Sequence, residues 1–349
     1  MELLTIAGRP VGPGLPPYVI AEIGSNHNGD MELCRRLIDA AHAAGADAVK
    51  FQSWTRRSLI SSAEYDRNTR YAAERKAPPL VEAVERYQMT ADRLREAADY
   101  CRSQGIVWFA SCFSAEEVEL LESLDAPAYK IASMDVNHLP LLRHVASTGK
   151  PVLLSTGMAT LGEVEHALST LREGGAGPVA LLHCLSVYPS PPGLVNLRMM
   201  STWAQAFGVP VGYSDHTLGT AVPLAAVALG ACAIEKHFTL DRALEGWDHA
   251  ISADPAELRA LVDGSRDVFQ ALGSAVRSVS PEELDKRRTF RRGMVAARAL
   301  RSGERLAATD VDFKRPGIGI RPDELEYVVG RALARDVAPD EELAWADLL

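Results

Sequence analysis

Short runs of apolar, largely β-branched residues recur along the first part of the chain, and stretches with helical spacing of apolar positions lie between them. The first run, Val19–Ile23, is followed by helix-type spacing from Met31 to Ala44, which ends at Gly45. Because the runs are nearly all apolar, they predict parallel strands that are buried on both faces. The eight predicted strands are Val19–Ile23, Ala48–Gln52, Ile106–Ser111, Ala128–Ile131, Pro151–Ser155, Val179–His183, Val209–Tyr213 and Ala233–Glu235.

Eight strand and helix units favour a closed (β/α)8 TIM barrel, an α/β fold, over residues 1–273. The alternative is a doubly wound open sheet, which is disfavoured because no GxGxxG follows the first strand. Residues 53–88 form a polar insertion after the second strand. Residues 274–290 are polar and contain a proline, so they are predicted to be a linker. Residues 291–349 carry short strand candidates and turns, which are typical of a small separate domain.

Composition and charge narrow the classes of function. Hydrophobic residues make up 47% and charged residues 24% of the 349 residues, the balance of an ordinary globular protein. The net charge of -9 and the lack of a Lys/Arg-rich block argue against nucleic acid and anionic membranes as partners. No signal peptide and no run near the ~18 apolar residues of a membrane span is evident. The five cysteines are scattered, so reduced thiols and a cytoplasmic protein are expected.

Polar residues follow every predicted strand, at the end of a barrel where enzymes of this fold hold their active sites. Lys50 and Lys130 lie near two of these ends, and burying a lysine is costly without an anionic partner. The alternative for each lysine is a side chain that snorkels at the barrel end. With nearby hydroxyl groups the two lysines suit a ligand that carries a phosphate and a carboxylate. The hydroxyl groups are those of Ser111, Ser133, Ser155 and Ser214.

Two histidines follow neighbouring strands of the predicted barrel. His216 follows the seventh strand and His237 the eighth, so their side chains are expected to face one mouth. Two imidazoles can bind a divalent ion whose shell is completed by water and oxygen ligands. Beside the carboxylate of Glu22, the pair favours a metal over two separate structural histidines. No cysteine-rich ligand set is present, which argues against structural zinc.

Several motifs together resemble the sialic acid synthase family, and the resemblance runs in register over nearly the whole chain. Within the predicted barrel the motifs are Ile20–Gly29, Val49–Gln52, Tyr129–Ser133, Leu154–Met158, Leu182–Cys184, Tyr188–Pro189, Ser214–Thr217 and Glu235–Asp241. Downstream, Lys314–Ile320 resembles a loop of the antifreeze-like (SAF) domain that ends these enzymes. The resemblance implies a transferase of carbohydrate biosynthesis that condenses phosphoenolpyruvate with an N-acetylmannosamine-type aldehyde sugar and releases phosphate.

The resemblance also assigns roles to site residues. Lys50 and Lys130 are expected to hold phosphoenolpyruvate with the four serines, and Glu22 to transfer protons. His216 and His237 are expected to bind a divalent metal, usually Mn²⁺, with Mg²⁺ or Co²⁺ as alternatives. The family implies a domain-swapped homodimer in which the C-terminal domain of one subunit covers the barrel mouth of the other. The residues expected to contact substrate are Gln52, Asp135, Ser186, Tyr188, Asp248 and, from the second subunit, Arg315.

Departures from the family pattern leave the acceptor sugar open. Leu185–Val187 stand where many bacterial members have Thr-Asn before Tyr-Pro, and Trp247 stands where a small residue or proline is commoner. The candidates are N-acetylmannosamine, its 6-phosphate, or a diacetamido-dideoxy hexose that leads to legionaminic or pseudaminic acid. Octulosonate- and heptulosonate-phosphate synthases are disfavoured by the appended C-terminal domain. A non-catalytic sugar-acid-binding barrel is disfavoured because binding alone does not require Glu22.

Overall fold

The computed structural model describes residues 2–67 and 80–349 and divides into two compact units, Met1–Gly273 and Ser274–Leu349. The first unit begins with an antiparallel hairpin of strands β1 (Leu4–Ile6) and β2 (Arg9–Val11). Eight parallel strands then close into a barrel in chain order, which confirms the predicted TIM barrel. These strands are β3 (Tyr18–Gly24), β4 (Ala48–Gln52), β5 (Val107–Ser111), β6 (Tyr129–Ile131), β7 (Val152–Ser155), β8 (Val179–Cys184), β9 (Val211–Asp215) and β10 (Ala233–His237).

Helices connect the barrel strands, and local capping groups fix where several of them begin. The Asp30 side chain accepts a hydrogen bond from the backbone N–H of Glu32 at 2.8 Å, which starts the first helix. None of the described helices is long and apolar enough to cross a membrane. The described helices of the first unit are Met31–Ala43, Arg56–Leu59, Ser62–Arg67, Leu80–Tyr87, Ala91–Gln104, Ala115–Ser123, Leu139–Ala146, Leu161–Glu173, Pro192–Val195, Met199–Phe207, Ala221–Ala228 and Pro255–Leu272.

Successive residues of each barrel strand face opposite sides, and this alternation separates two apolar cores. On β3, Val19, Ala21 and Ile23 belong to the core between the strands and the helices, whereas Ile20 belongs to the core inside the barrel. The hairpin contributes buried side chains to the inner core. That inner core comprises Leu4, Ile6, Val11, Tyr18, Ile20, Ala48, Phe109, Ala128, Leu153, Ala180, Leu182, Cys232 and Ala233. The next inward position on each strand lies nearer the carboxyl end of the barrel.

The insertion after β4 carries an apolar cluster, although its sequence is largely polar. The described part of the insertion contains three short helices, and residues 68–79 fall outside the described residues. Trp247, from the segment after β10, packs against this cluster. The buried members of this cluster are Trp54, Tyr65, Leu80, Ala83, Val84, Tyr87 and Phe113. The insertion therefore builds a small core of its own beside the barrel mouth.

The second unit contains a short antiparallel pair, β11 (Gly293–Ala296) and β12 (Val311–Lys314). Helix Pro281–Phe290 precedes the pair and lies within the segment that the sequence assigns to a linker. A one-turn helix, Leu325–Val328, follows it. The unit has its own apolar core, formed by Met294, Ala296, Leu300, Leu306, Val311, Ile320, Val328, Leu333, Val337, Leu343 and Leu348.

Candidate active site

A cavity of about 390 Å³ opens at the carboxyl ends of the barrel strands. Most of the site residues predicted from the sequence line it. They are Glu22, Lys50, Gln52, Ser111, Lys130, Ser133, Ser155, Ser186, Tyr188, Ser214, His216, His237 and Asp248. Two predicted residues do not line it. Asp135 lies in a short 3₁₀ turn next to the lining residues Ser133 and Met134, and Arg315 belongs to the second unit.

The alternation of the strands explains why these side chains converge. Glu22 stands two residues after Ile20, and Ser155 stands two residues after Leu153. Because Ile20 and Leu153 face the inside of the barrel, the polar residues point into the barrel above them. Lys50, Ser111, Lys130, Cys184 and Glu235 occupy the same position on their strands. A polar layer therefore rests on the inner apolar core.

Two lysines and two carboxylates form the centre of this layer. The Nζ atom of Lys50 lies 2.8 Å from Oε2 of Glu22 and donates a hydrogen bond of 2.7 Å to Oγ of Ser111. The Nζ atom of Lys130 lies 3.6 Å from Oε1 of Glu235. All four charged side chains are buried. Buried charges are tolerated only when they are paired, so this network keeps two cations ready for an anionic ligand.

The pKa values of the two carboxyl groups are shifted in opposite directions. Burial raises the pKa of Glu22 to about 7, and the opposing effect of Lys50 is smaller. Burial also raises the pKa of Glu235, but Lys130 and Lys50 outweigh it and hold the value at about 2. Glu235 is thus ionised at neutral pH, whereas Glu22 can gain or lose a proton there. Neighbouring carboxyls with pKa values pushed apart are typical of acid–base sites.

Hydrogen bonds and a glycine fix the orientation of Glu22. Gln52 Nε2 donates to Glu22 Oε1 at 2.7 Å, and Trp54 Nε1 donates to Gln52 Oε1 at 2.8 Å. Gly24 has a φ of 51°, and a Cβ atom at this position would lie 2.8 Å from Glu22 Oε1. Glycine is therefore needed for the backbone conformation and for the space that the carboxylate occupies.

His216 and His237 come together as the sequence suggests, with ring centroids 5.4 Å apart. The Nδ1 atom of His216 lies 2.9 Å from the carbonyl oxygen of Leu185 and donates to it. Burial lowers the pKa of His216, but Cys184 and that carbonyl outweigh burial and raise it. The Nδ1 atom of His237 is buried and has no hydrogen-bond partner among the described residues. Burial lowers the pKa of His237 to about 4, so its ring is neutral at pH 7.

Two imidazoles side by side fit a divalent metal ion, which binds the deprotonated ring and would displace the proton that the raised pKa of His216 favours. Among the residues that the structure describes, no group of three or more His, Cys, Asp and Glu side chains is arranged to hold one. A metal at this pair would therefore take its remaining ligands from water and substrate oxygens. Open coordination positions of this kind are a property of catalytic metal sites rather than structural ones.

The serines divide into bound and available hydroxyls. Ser214 Oγ donates to Glu235 Oε1 at 3.0 Å, and Ser133 Oγ accepts from the backbone N–H of Gly157 at 3.0 Å. Ser155 Oγ is buried without a hydrogen-bond partner in the described part of the chain. A buried polar atom without a partner is costly, so Ser155 is suited to a ligand that enters the cavity.

Several lining residues were not predicted from the sequence. Glu235 stands two residues before His237 on β10, and strand alternation is the signal that indicates it. Trp54 and Phe113 line the cavity from two separate segments, together with Trp247, which the sequence singles out only as a departure from the family pattern. No local pattern indicates these contacts, because they depend on how the insertion packs.

Most of the chain is similar to known proteins. Residues 37–277 match the NeuB family, and residues 291–349 match the SAF domain. The N,N'-diacetyllegionaminic acid synthase of Legionella pneumophila is 39% identical over 351 residues, which cover 97% of this chain and 96% of that protein. The pseudaminic acid synthase of Helicobacter pylori is 33% identical over 337 residues, which cover 95% and 98% of the two chains.

A solved structure extends the likeness to three dimensions. It is the N-acetylneuraminic acid (sialic acid) synthetase from Leptospira borgpetersenii serovar Hardjo-bovis, in complex with citrate. Its TM-score is 0.71 at 34% sequence identity, and the match covers 82% of this chain and 95% of that chain. The similarity expected from the motifs therefore holds for both sequence and fold.

Proposed function

The chain belongs to the NeuB family, and on that premise we propose that it condenses phosphoenolpyruvate with the open-chain aldehyde of an N-acetylated amino sugar. The products are inorganic phosphate and a nine-carbon sugar acid. The observation that carries the proposal is the Glu22–Lys50 pair, 2.8 Å apart, in the cavity that Lys130 and two histidines also line. The SAF match over residues 291–349 favours this reaction over octulosonate- or heptulosonate-phosphate synthesis.

The two lysines suit the anionic groups of phosphoenolpyruvate. Lys50 and Lys130 are buried, so their charges act through a medium that screens them less than water does. Charge-assisted hydrogen bonds to phosphate and carboxylate oxygens would fix the substrate and its reacting carbon. The hydroxyl of Ser155 supplies a further donor at the same level of the barrel.

The reaction needs one carbon–carbon bond, one water and one proton acceptor. The enol carbon of phosphoenolpyruvate attacks the aldehyde carbon, and the aldehyde oxygen takes up a proton to become a hydroxyl. Water adds to the resulting cationic carbon and gives up one proton. The C–O bond to phosphate then breaks, and the remaining hydroxyl proton leaves with the phosphate, which gives a ketone. We assign Glu22 as the base that accepts the proton of this water, since its pKa lies near 7. Glu235 stays ionised and favours positive charge at the same centre.

We propose Mn²⁺ as the cofactor, with His216 and His237 as its protein ligands. When bound, a divalent cation polarises the aldehyde oxygen and stabilises the charge that develops on it. His237 is neutral at pH 7 because of its lowered pKa, which leaves its lone pair available for coordination.

Both substrates should be needed for phosphate release. With Mn²⁺ present, we expect inorganic phosphate to appear from phosphoenolpyruvate only when an acetamido hexose with a free aldehyde form is added. N-acetylmannosamine and a 2,4-diacetamido-2,4,6-trideoxy hexose are the acceptors to compare, with arabinose 5-phosphate as the control for octulosonate-phosphate synthesis. Phosphate release with the control sugar alone, or with no acetamido sugar at all, would reject the proposed reaction.

We further propose that the active site is completed by a second copy of the chain. The described residues that line the cavity all belong to the first unit, whereas Arg315 lies on an exposed loop after β12 in the second. Its guanidinium lies 5.1 Å from the ring centroid of Phe290, which restrains the arginine within its own unit. A guanidinium presented in this way can donate to a sugar hydroxyl or acyl oxygen.

Subunit sharing predicts complementation between two inactive variants. Glu22→Ala and Arg315→Ala are each expected to lose activity, and a mixed dimer should regain it. One of its two sites would hold an intact Glu22 and an intact Arg315 from opposite chains, so up to half of the sites should be active. The measurement is phosphate release after verified subunit exchange, with each variant exchanged against itself as the control. A mixture that stays as inactive as the controls would show that the site is not shared in this way.

We place the enzyme in the cytoplasm. All five cysteines are free and buried, and such thiols persist in a reducing compartment.

A further inference from the structure

Lys236 and Asp215 form an ion pair on the outer side of the barrel, behind the candidate active site. The Nζ atom of Lys236 lies 2.7 Å from Oδ2 of Asp215, and the two side chains are 1% and 0% exposed. Their strand neighbours Glu235 and Ser214 line the cavity. Because successive residues of a strand face opposite sides, Lys236 and Asp215 point away from the cavity, toward the helices. The reaction proposed above uses neither of these buried charges.

Hydrogen bonds extend the ion pair to the backbone beside His216. Lys236 Nζ also donates to the carbonyl oxygen of Thr217 at 2.7 Å. The backbone N–H of Thr217 donates to Oδ1 of Asp215 at 2.8 Å. His216 therefore stands between two residues that are both tied to Lys236.

The ion pair lies where the backbone pairing of β9 with β10 ends. Asp215 and Lys236 are the last paired residues of the two strands, and His216 and His237 each follow by one residue. The carbonyl oxygen of His216 accepts a hydrogen bond of 2.8 Å from the backbone N–H of Ser190, in the segment after β8. On the side of β10, the side chain of Lys236 connects this segment to the strand that carries His237.

Stability alone does not account for two charges in this place. The neighbouring residues on the same face of the strands, Tyr213, Ile234 and Phe238, belong to the apolar core between strands and helices. Replacement of a buried ion pair by uncharged groups of similar volume is often neutral or stabilising. What the charged groups add is direction, since charge-assisted hydrogen bonds of 2.7–2.8 Å fix the atoms that they join.

We infer that Lys236 and Asp215 are positioning residues that set the separation of His216 and His237 for one divalent ion. The two imidazole rings have centroids 5.4 Å apart, and two ligands share an ion only when their separation and orientation are held closely. The ion pair acts through the backbone that carries the rings and does not itself contact the ion. The inference rests on the proposed function, because it concerns the metal site proposed there.

A double variant that removes both charges and keeps the volume tests the inference. Asp215→Asn/Lys236→Met leaves no uncompensated buried charge, so we expect a folded protein. Its Mn²⁺ affinity, measured by titration calorimetry and by the electron paramagnetic resonance signal of free Mn²⁺, should be about 10–100-fold lower than that of the wild type. Phosphate release should fall at low Mn²⁺ and largely recover at saturating Mn²⁺, which a loss of folded protein would not do.

Glu117→Gln is the matched control. Glu117 is also a buried carboxylate, but it accepts a hydrogen bond of 2.7 Å from the backbone N–H of Phe113, after β5, and does not line the cavity. This variant should bind Mn²⁺ like the wild type. Equal loss of Mn²⁺ affinity in Glu117→Gln would mean that any buried carboxylate at this end of the barrel has the effect, and it would overturn the inference.

The outcomes separate the inference from the proposed cofactor. Wild-type Mn²⁺ affinity in a folded double variant overturns the inference, and the metal site stands if His237→Ala still binds Mn²⁺ weakly. If the double variant does not fold, Asp215→Asn decides, because it keeps the shape and the acceptor for Thr217 and weakens the contact with Lys236. Its Mn²⁺ affinity should fall severalfold, and an unchanged affinity overturns the inference. Absence of Mn²⁺ binding by the wild type rejects the proposed cofactor, and the inference with it.

Discussion

Replacing Glu22 by glutamine is expected to lower kcat by about 10²–10⁴-fold, the usual contribution of a positioned acid or base. The amide preserves the size of the side chain and can still accept the hydrogen bond from Gln52. It cannot accept a proton from water. Lys50 loses its partner at 2.8 Å in this variant, so its charge becomes more available to phosphoenolpyruvate. The KM for phosphoenolpyruvate should therefore not rise, which distinguishes loss of a base from loss of a binding residue.

The pH dependence of kcat/KM provides a second test of the Glu22→Gln variant. Because burial raises the pKa of Glu22 to about 7, the group is protonated and inactive as a base below that pH. Wild-type log kcat/KM is thus expected to rise with pH through about 7 and to level off above it. Glu22→Gln should lack this rise.

Asp135 offers a matched control for that profile. Burial raises the pKa of its carboxyl to about 6, but the side chain does not line the cavity. Asp135→Asn should therefore keep the wild-type pH profile and most of the activity. If the rise near pH 7 survives in Glu22→Gln, or disappears in Asp135→Asn, another group than Glu22 is the base.

The barrel was predictable because apolar strand segments and helical segments alternate regularly along the sequence. Each strand carries apolar residues on both faces, and the chain returns to such a run after every helix. The carboxyl-terminal ends of β9 and β10 were harder to predict from the sequence. The predicted strands stop at Tyr213 and Glu235, whereas the structure extends them to Asp215 and His237. Polar residues that face a substrate interrupt the apolar pattern although the backbone pairing continues.

The candidate site was predictable where a residue type is costly at its position. A lysine inside an apolar strand, such as Lys50, requires an anionic partner, and the sequence alone suggests one. Glu235 could be predicted once His237 was taken to face the inside of the barrel, because residues two apart on a strand face the same side. Trp247 was visible only as an unusual residue, because its contacts with Trp54 and Tyr87 are tertiary. Asp135 was expected to contact substrate because it follows a predicted strand, but in the structure it lies in a 3₁₀ turn and is not among the residues that line the cavity.

Removal of divalent metal is expected to reduce turnover by about 10³-fold or more, and Mn²⁺ should restore it. A Lewis acid at a developing oxyanion contributes several kcal/mol, and each ~1.4 kcal/mol corresponds to a tenfold rate. The structure supplies two imidazoles and, among the described residues, no third ligand of the His, Cys, Asp or Glu type arranged with them. Loss of one imidazole should therefore remove one of the two protein ligands of the ion.

His237→Ala tests metal binding independently of turnover. We expect Mn²⁺ affinity, measured by titration calorimetry and by the electron paramagnetic resonance signal of free Mn²⁺, to fall at least tenfold, since two ligands bind cooperatively at one ion. His183→Gln is the control, because His183 is also a buried histidine at a strand end but bonds the carbonyl of Val195 at 2.6 Å and does not line the cavity. It should bind Mn²⁺ like the wild type. Full turnover by metal-stripped enzyme in excess chelator, or unaltered Mn²⁺ binding in His237→Ala, would show that the two histidines serve another purpose, such as donating hydrogen bonds to the acceptor sugar.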